Sequence, residues 1–578
     1  MPRSLHVLQT PALLALLLTA APALAAPGPI ALAPSSLTLS GPPAAILSAD
    51  VDGDGRRDLV VLTLATTWEQ IGVEEESHMD EALGLVEVLT VVPALLEHRE
   101  LQVFRGLAAG GFEATPMSLP ADRTLLSLTA GPPGLPVLAL TDSGVAVLRI
   151  RTGADAVGAA AESAGTPSGP VATEPAAASA DAGPQLALEP VIADVPVLAG
   201  SGTFVPDILR VVDLDGDGKR DVLFPAPDGV AIYLGDGAGL AARPAARVRL
   251  PDDEPSDSDG RLLRHYALPE VRDLAGDGRP ELLVQHPRRG WNELKIWRGL
   301  GGGRFAAPVE PLPARPAEAQ AANPSVVFVG DLDGDHRGEL LLQQSFEPKD
   351  DAGMREELHH AKEPPFDYRA LALDSDFAAG REKVKTFRAV GYAFEGGGDV
   401  RLPGGLRDLN GDGRLDLVAL TLDFSILQAV RVLATKRIGI GLDFHIDCQQ
   451  ADGSFRAVTG LDLSGKFTLD LNDLRIGNLA QFAGDFDGDG MIDFLQVGRG
   501  KKAAIHRGRR DCSYPARPDA EVLLREEPAD LGLLRVEDYD GDGKSDLLLI
   551  QPVEQEEKAR DGVSSPVRLD LYLSQAPR

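Results

Sequence analysis

The chain is poor in cysteine, in aromatic residues and in positive charge. Two cysteines among 578 residues, Cys448 and Cys512, are too few to form the framework of a fold, so stability must come from packing or bound ions. A single disulfide between them is compatible with an oxidising compartment. Lys and Arg total 56 against 87 Asp and Glu, a formal net charge of −31. A surface this negative repels phosphate backbones and anionic lipid heads, which argues against nucleic acid and membrane surfaces as partners. Long apolar runs are also missing: beyond the N-terminal segment nothing approaches the roughly 20 residues of a membrane-spanning helix. Nor is there an HExxH, a phosphate-binding Gly loop ahead of a helix, or a GxSxG elbow, and the ten His are scattered.

What is present begins with a secretory pattern. Arg3 supplies a positive end, an apolar run extends from Ala12 to Ala20, and Ala23-Leu24-Ala25 gives the small-x-small site of a signal peptidase. Residues 1–25 therefore read as a signal peptide. No Cys follows the cleavage site, which argues against a lipid anchor. A periplasmic, extracellular or cell-surface location is expected. The 62 Gly and 44 Pro suit many short strands joined by turns.

One nine-residue pattern, Asp-x-Asp-Gly-Asp-Gly-x-x-Asp, recurs seven times with small variations. Its positions 1, 3, 5, 7 and 9 are Asp50, Asp52, Asp54, Arg56 and Asp58 in the first copy, and Asp213, Asp215, Asp217, Lys219 and Asp221 in the second. The third has Asp273, Ala275, Asp277, Arg279 and Glu281; the fourth has Asp331, Asp333, Asp335, Arg337 and Glu339. Asp408, Asn410, Asp412, Arg414 and Asp416 make the fifth, and Asp485, Asp487, Asp489, Met491 and Asp493 the sixth. The last has Asp538, Asp540, Asp542, Lys544 and Asp546. Recurrence at tens of residues is the mark of repeated supersecondary units.

Short Val, Leu and Ile runs flank each loop, such as SVVFVGD before and DLLLIQ after, so the loop reads as a hairpin turn between two strands. A third strand ending in Gly follows, as in LQVFRG (101–106), VAIYLG (230–235), LKIWRG (294–299) and AAIHRG (503–508). A turn with an aromatic (Gly111-Phe112, Arg304-Phe305, Ser454-Phe455) then leads to a fourth strand. Four antiparallel strands per repeat make a propeller blade. Residues 124–150 keep this rhythm but carry Gly-Pro-Pro-Gly instead of the Asp loop, which gives eight blades, with seven as the alternative. The last repeat stops after RLDLYLS (568–574); residues near Ile30 to Leu39 are expected to supply its fourth strand and so close the edge. The expected architecture is thus all-β, a single propeller over residues 26–578. Segments outside the rhythm are an Ala/Pro-rich linker at 152–184, an acidic insertion at 68–82 and a charged insertion at 346–383, with a helix followed by a strand at 424–447.

Asp at positions 1, 3 and 5 gathers three carboxylates around one point when the chain curls, and Gly at 4 and 6 permits the curl. A backbone carbonyl at 7 and the carboxylate at 9 complete an all-oxygen shell suited to calcium, with up to seven ions expected. Like charges about 4 Å apart cost on the order of 1–4 kcal/mol per pair near a protein surface, so each loop calls for a cation. The copy at Asp273 lacks a ligand at Ala275 and should be weakest; the copy at Asp331 has His336 where Gly is favoured.

Strand flanks and closure at the ninth residue separate this loop from the EF-hand. The repeat resembles instead the FG-GAP and VCBS-repeat family, the blade found in the propeller head of integrin α chains, over almost the whole chain after residue 25. The resemblance implies that the loops join the first two strands of each blade on one face, and that ligands meet the opposite face or the rim.

No catalytic constellation stands out. His359-His360 reads as a solvated loop, His445 and His506 as packing residues on strands, and Trp291 and Trp297 as core or rim rather than sugar-stacking residues. Cys448 and Cys512, in consecutive blades, are candidates for a disulfide. The expected role is a monomeric binding or adhesion module for a protein or glycan partner. The alternative is a polysaccharide-active enzyme: some calcium-rich propellers that resemble this one are pectin lyases working through basic residues in a central cleft.

Overall fold

The apolar runs beside the Asp loops are almost unbroken because both faces of each strand are covered. In the strand Asp58–Ala65, Leu59 and Val61 pack to one side while Val60 and Leu62 pack to the other. Asp546–Pro552 alternates the same way, Leu547 and Leu549 against Leu548 and Ile550. Period-2 alternation between two apolar surroundings is what a blade between two other blades requires.

The computed structural model describes residues 30–65, 98–121, 125–132, 134–141, 144–151, 184–193, 210–226, 229–250, 256–258, 261–263, 269–285, 294–312, 325–345, 356, 359, 362–393, 405–423, 437–460, 463–470, 475–477, 480–497, 501–528, 534–552 and 567–575. It is nearly all β, with eight antiparallel blades in a ring. Blade 1 comprises Pro43–Ala49, Asp58–Ala65, His98–Phe104 and Met117–Ala121. Blade 2, which has no Asp loop, comprises Leu125–Ala130, Val137–Thr141, Gly144–Arg151 and Gln185–Ile192. Blade 3 comprises Arg210–Val212, Asp221–Ala226, Gly229–Tyr233 and Ala246–Arg249. Blade 4 has Glu270–Arg272, Glu281–Gln285 and Leu294–Trp297, with Val309 bridging Ile296 in the fourth place.

Blade 5 comprises Ser325–Gly330, Glu339–Ser345, Pro365–Leu373 and Ala379–Val390. Blade 6 has Gly405–Arg407, Asp416–Asp423 and the long Arg437–Gln449, whose far end pairs Phe455–Ala457 and whose near end pairs Ser464–Asp470. Blade 7 comprises Ala480–Gly484, Asp493–Val497, Lys502–His506 and Ala520–Leu523. Blade 8 comprises Leu534–Glu537, Asp546–Pro552 and Val567–Ser574, completed by Leu32–Leu39 from the other end of the chain. That last pairing is antiparallel from Leu32↔Ser574 to Leu39↔Val567, as the strand count required.

Among the described residues eight apolar clusters each join two consecutive blades. The cluster of Leu37, Leu39, Leu569 and Leu571 with Ile46, Leu59 and Val61 joins blade 8 to blade 1, so the ring is closed. Trp297 is buried in the cluster between blades 3 and 4, in the core as expected.

The charged segment 346–383 needs correction. It is not simply an insertion, because Pro365–Leu373 is the third strand of blade 5 and Ala379–Val390 the fourth. Charge hid these strands: the fourth is an outer strand, and its run AGREKVKTFRAV exposes most of its polar residues. Residues 1–25, 68–82, 152–183, 424–436, Trp291 and His360 lie outside the described residues, and of the helix and strand expected at 424–447 only the strand Arg437–Gln449 falls within them. Among the described residues no helix is long and apolar enough to cross a membrane.

Candidate metal centres

Every Asp loop is built on the same backbone scaffold. In six of the seven copies the position-1 carboxylate accepts N–H groups from positions 4 and 6, as where Gly53 and Gly55 donate to Asp50 at 2.7 and 2.9 Å, and Gly216 and Gly218 to Asp213 at 2.7 and 2.8 Å; in the blade 6 copy Asp408 accepts from Asp412 and Gly413. The curl demands left-handed backbone, with φ of 77° at Gly53 and 83° at Gly55. His336 adopts φ 63° at the sixth position of the blade 5 loop, where the other loops have Gly.

The position-9 carboxylate fastens the loop to its blade. One oxygen accepts the position-2 amide in all seven copies, for example Val51 to Asp58 at 2.9 Å, Leu274 to Glu281 at 2.7 Å and Leu409 to Asp416 at 3.0 Å. Where position 9 is Asp, the other oxygen accepts an amide just past or at the end of the third strand. The donors are Gly106, Gly235, Gln449, Gly508 and Ser574, at 2.7 to 3.0 Å. Burial pushes these acids up, Asp221 to about 6 and Asp416, Asp493 and Asp546 to about 7. Glu281 and Glu339 also rise to about 7 through burial.

Successive loops touch. The position-8 amide of one loop donates to the position-2 carbonyl of the loop before it: Gly338 to Leu274 at 2.8 Å, Leu415 to Leu332 at 3.0 Å, and Ile492 to Leu409 at 3.0 Å. A Cβ on Gly216 would stand 2.5 Å from the Gly278 carbonyl oxygen of the next loop, and one on Gly334 2.7 Å from that of Gly413. From blade 3 to blade 7 the acidic loops therefore form a continuous arc on one side of the ring.

Within the loops the structure gathers positions 1, 3 and 9. Asp50, Asp52 and Asp58 each place a carboxylate oxygen within 4.8 Å of the others, as do Asp213, Asp215 and Asp221; Asp331, Asp333 and Glu339; and Asp485, Asp487 and Asp493. The position-5 acids stand outside these triads, and Asp54, Asp217, Asp277, Asp335, Asp412, Asp489 and Asp542 each accept the position-7 amide. An all-oxygen triad of this kind suits a hard divalent cation. At Asp273 the third ligand is replaced by Ala275, and Asn410 turns its Nδ2 toward Asp412 and the Arg510 carbonyl.

Protein cations already sit against several loops. Arg105 reaches Asp52 at 2.8 Å and Arg507 reaches Asp487 at 2.9 Å. Lys219 lies 3.1 Å from Asp217, and Arg56 and Arg414 turn onto Asp54 and Asp412. In blade 5 Lys383 touches three loop acids. The two arginines carried a signal, the Arg-Gly that ends LQVFRG and AAIHRG; Lys383 carried none.

A disulfide joins Cys448 in blade 6 to Cys512 in blade 7, with Cα atoms 6.0 Å apart. Asp416 lies beside it, but both sulfurs are committed to the S–S bond. His506 is buried, its Nδ1 2.7 Å from the Pro515 carbonyl oxygen, a packing residue as expected. His445 is not: its ring is exposed, in hydrogen-bond contact with Thr421 Oγ1 at 3.1 Å. It lines a cavity of about 410 Å³ with Glu363, Thr421 and Asp443. His359 is exposed, as a solvated residue should be.

A family model described as an FG-GAP-like repeat matches residues 273–342. No curated protein matches the chain. Among solved structures, an Agrocybe aegerita lectin that recognises non-reducing terminal N-acetylglucosamine is 14% identical, covering 81% of this chain and 98% of its own, with a TM-score of 0.37. A family 117 glycoside hydrolase of the marine bacterium Zobellia galactanivorans is 14% identical, covering 50% of this chain and 73% of its own, with a TM-score of 0.19. The matched FG-GAP-like repeat and the closed eight-bladed ring together support a propeller of the FG-GAP/VCBS-like kind.

Proposed function

We propose that this chain is a secreted calcium-binding propeller whose rigid ring presents loops to a protein or glycan partner, as an adhesion or surface-associated module. The observation that carries the calcium reading is the recurring triad: a buried position-9 carboxylate faces two more carboxylates within 4.8 Å in loop after loop. At neutral pH positive charge among its oxygens stabilises such a cluster. Asp213, Asp215 and Asp221 fit a calcium ion best, since among the described residues no basic side chain makes an ion pair with this triad, Lys219 pairing with Asp217 instead. Bound calcium would supply charge neutralisation and a bridge between both ends of the turn; the chain's own part is to hold the oxygens in place through the amide bonds already described. Secretion rests on residues 1–25 and agrees with a disulfide at Cys448–Cys512.

A second reading, action on a polysaccharide, is favoured by the blade 6 cavity, where Glu363, Asp443 and His445 supply carboxylates and an imidazole. These are the groups general acid–base chemistry uses. One experiment separates the readings. The protein, in calcium, is incubated with a panel of soluble polysaccharides including pectins, and both retention on each polymer and new chain ends are measured. Retention without release supports the binding module. Release that disappears in His445→Ala supports the enzyme. If neither occurs, the partner is not one of these glycans, and protein ligands come next.

A further inference from the structure

The blade 5 loop differs from the others in what lies among its carboxylates. Lys383 Nζ is 3.2 Å from Asp333 Oδ1, 2.5 Å from Asp335 Oδ2 and 2.9 Å from Glu339 Oε1. These are positions 3, 5 and 9 of the loop, so one ammonium contacts three of its four acids. An ammonium has three N–H donors and one positive charge, and here each donor has an acceptor. Glu339 is fully buried, and its Oε2 is taken by the Leu332 amide. Its Oε1 is the oxygen that, in the Asp copies, accepts an amide at the end of the third strand. In blade 5 that partner is missing, because the Leu373 amide donates to the Gly338 carbonyl instead.

The backbone aims the lysine. In the pairing of the third and fourth strands Ala370 faces Val384 and Leu371 faces Glu382, which leaves Lys383 as the extra residue of a bulge. A bulge redirects a side chain out of the regular alternation. Lys383 is thus turned across its own blade onto the loop, while its neighbour Val384 stays in the core.

We propose that Lys383 is the resident cation of the blade 5 loop: its ammonium takes the place of a divalent ion and keeps calcium out. Blade 5 then keeps the shape of the repeat without its metal dependence. The inference rests on the calcium reading for the other loops, and the test separates the two.

Bound calcium is counted by native mass spectrometry and by titration calorimetry in wild type, Asp215→Asn, Asp333→Asn, Lys383→Met and Lys383→Arg, and each protein is melted in chelator. The expected pattern is one ion fewer in Asp215→Asn, no change in Asp333→Asn or Lys383→Arg, and one ion more in Lys383→Met. In chelator Lys383→Met melts several degrees below wild type, because it leaves Glu339 buried without a cation, and Lys383→Arg recovers most of the loss. An ion lost from Asp333→Asn overturns the proposal, as does a Lys383→Met that melts like wild type in chelator. If wild type binds no calcium at all, the calcium reading fails. The melting arm still decides for or against Lys383 as resident cation.

Discussion

The amide of Leu415, in the sixth blade's loop, donates to the carbonyl oxygen of Leu332 in the fifth, at 3.0 Å. The amide of Leu332 is in turn held by Glu339 at 2.9 Å. One residue therefore reports on two loops: its N–H on the buried acid of its own turn, its carbonyl on the next turn around the ring. The same link recurs at Leu274 and Leu409, so the acidic turns are braced as a series. Packing fixes the ring, and charge decides how firmly its loop-bearing side is held.

This separates two roles among the acids of one loop. Asp546 accepts the Tyr539 amide at 2.9 Å and the Ser574 amide at 2.7 Å. Asp546→Ala orphans both buried amides and should cost about 2–6 kcal/mol already in chelator, and more in calcium, where it also removes the position-9 ligand. Asp540, at position 3, makes no comparable tie. Asp540→Asn removes one of the repelling acids, so it should melt at or above wild type in chelator and gain less on calcium addition. Calorimetric melts of both variants, with and without calcium, check this; if Asp540→Asn loses stability equally in both, position 3 is not a ligand.

The turns, their flanking strands and the closing strand Leu32–Leu39 were legible because each follows from local chemistry: Gly and Asp spacing, apolar runs, and the need to cover a last edge. What escaped depends on distance in sequence. Lys383 meets Glu339 across 44 residues, delivered by a bulge no residue pattern announces. His445 was expected to pack because it sits on a strand, yet it falls on the side that opens to the cavity. Strand membership fixes a period, and only the neighbouring blade decides which phase is covered.

Cys448 and Cys512 bind blade 6 to blade 7 across a separation of 64 residues. A loop of that size implies about 4 kcal/mol of stabilisation from the restricted unfolded chain. The double variant Cys448→Ser, Cys512→Ser, or wild type under reductant, should unfold at clearly lower urea. An unchanged midpoint would mean that the unfolded ensemble gains little freedom from the break.

Asp447 gives a pH dependence apart from the loops. It is buried on the long strand of blade 6, facing Leu417 and Ala457, and burial pushes it up to about 6. Its folded pKa exceeds the unfolded value, so the folded state binds the proton more tightly, and stability falls as pH rises from about 4 through 6. Asp447→Asn removes that loss. The variant should match wild type near pH 4 and exceed it at pH 7.5 by on the order of 2–3 kcal/mol. Melting curves across this range test the sign; a difference between the two that does not grow with pH rejects it.

The closing strand makes the strongest claim on the fold. Leu39 is fully buried and Leu37 nearly so, both packed against Leu569, Leu571 and the second strand of blade 1. Burying a leucine contributes about 1.5–3 kcal/mol, and a charge in its place costs more. Leu39→Asp, or removal of residues 32–39, should therefore leave Val567–Ser574 as an open edge and uncover the blade 8 to blade 1 cluster. Open edges pair with other chains. The expected result is a lower melting temperature, faster proteolysis of blade 8, and association on size-exclusion chromatography. A peptide spanning residues 30–42 added in trans should restore the wild-type profile. Should the truncated chain melt and migrate like wild type, blade 8 must be stable with three strands, and ring closure would rest on blade-to-blade packing alone.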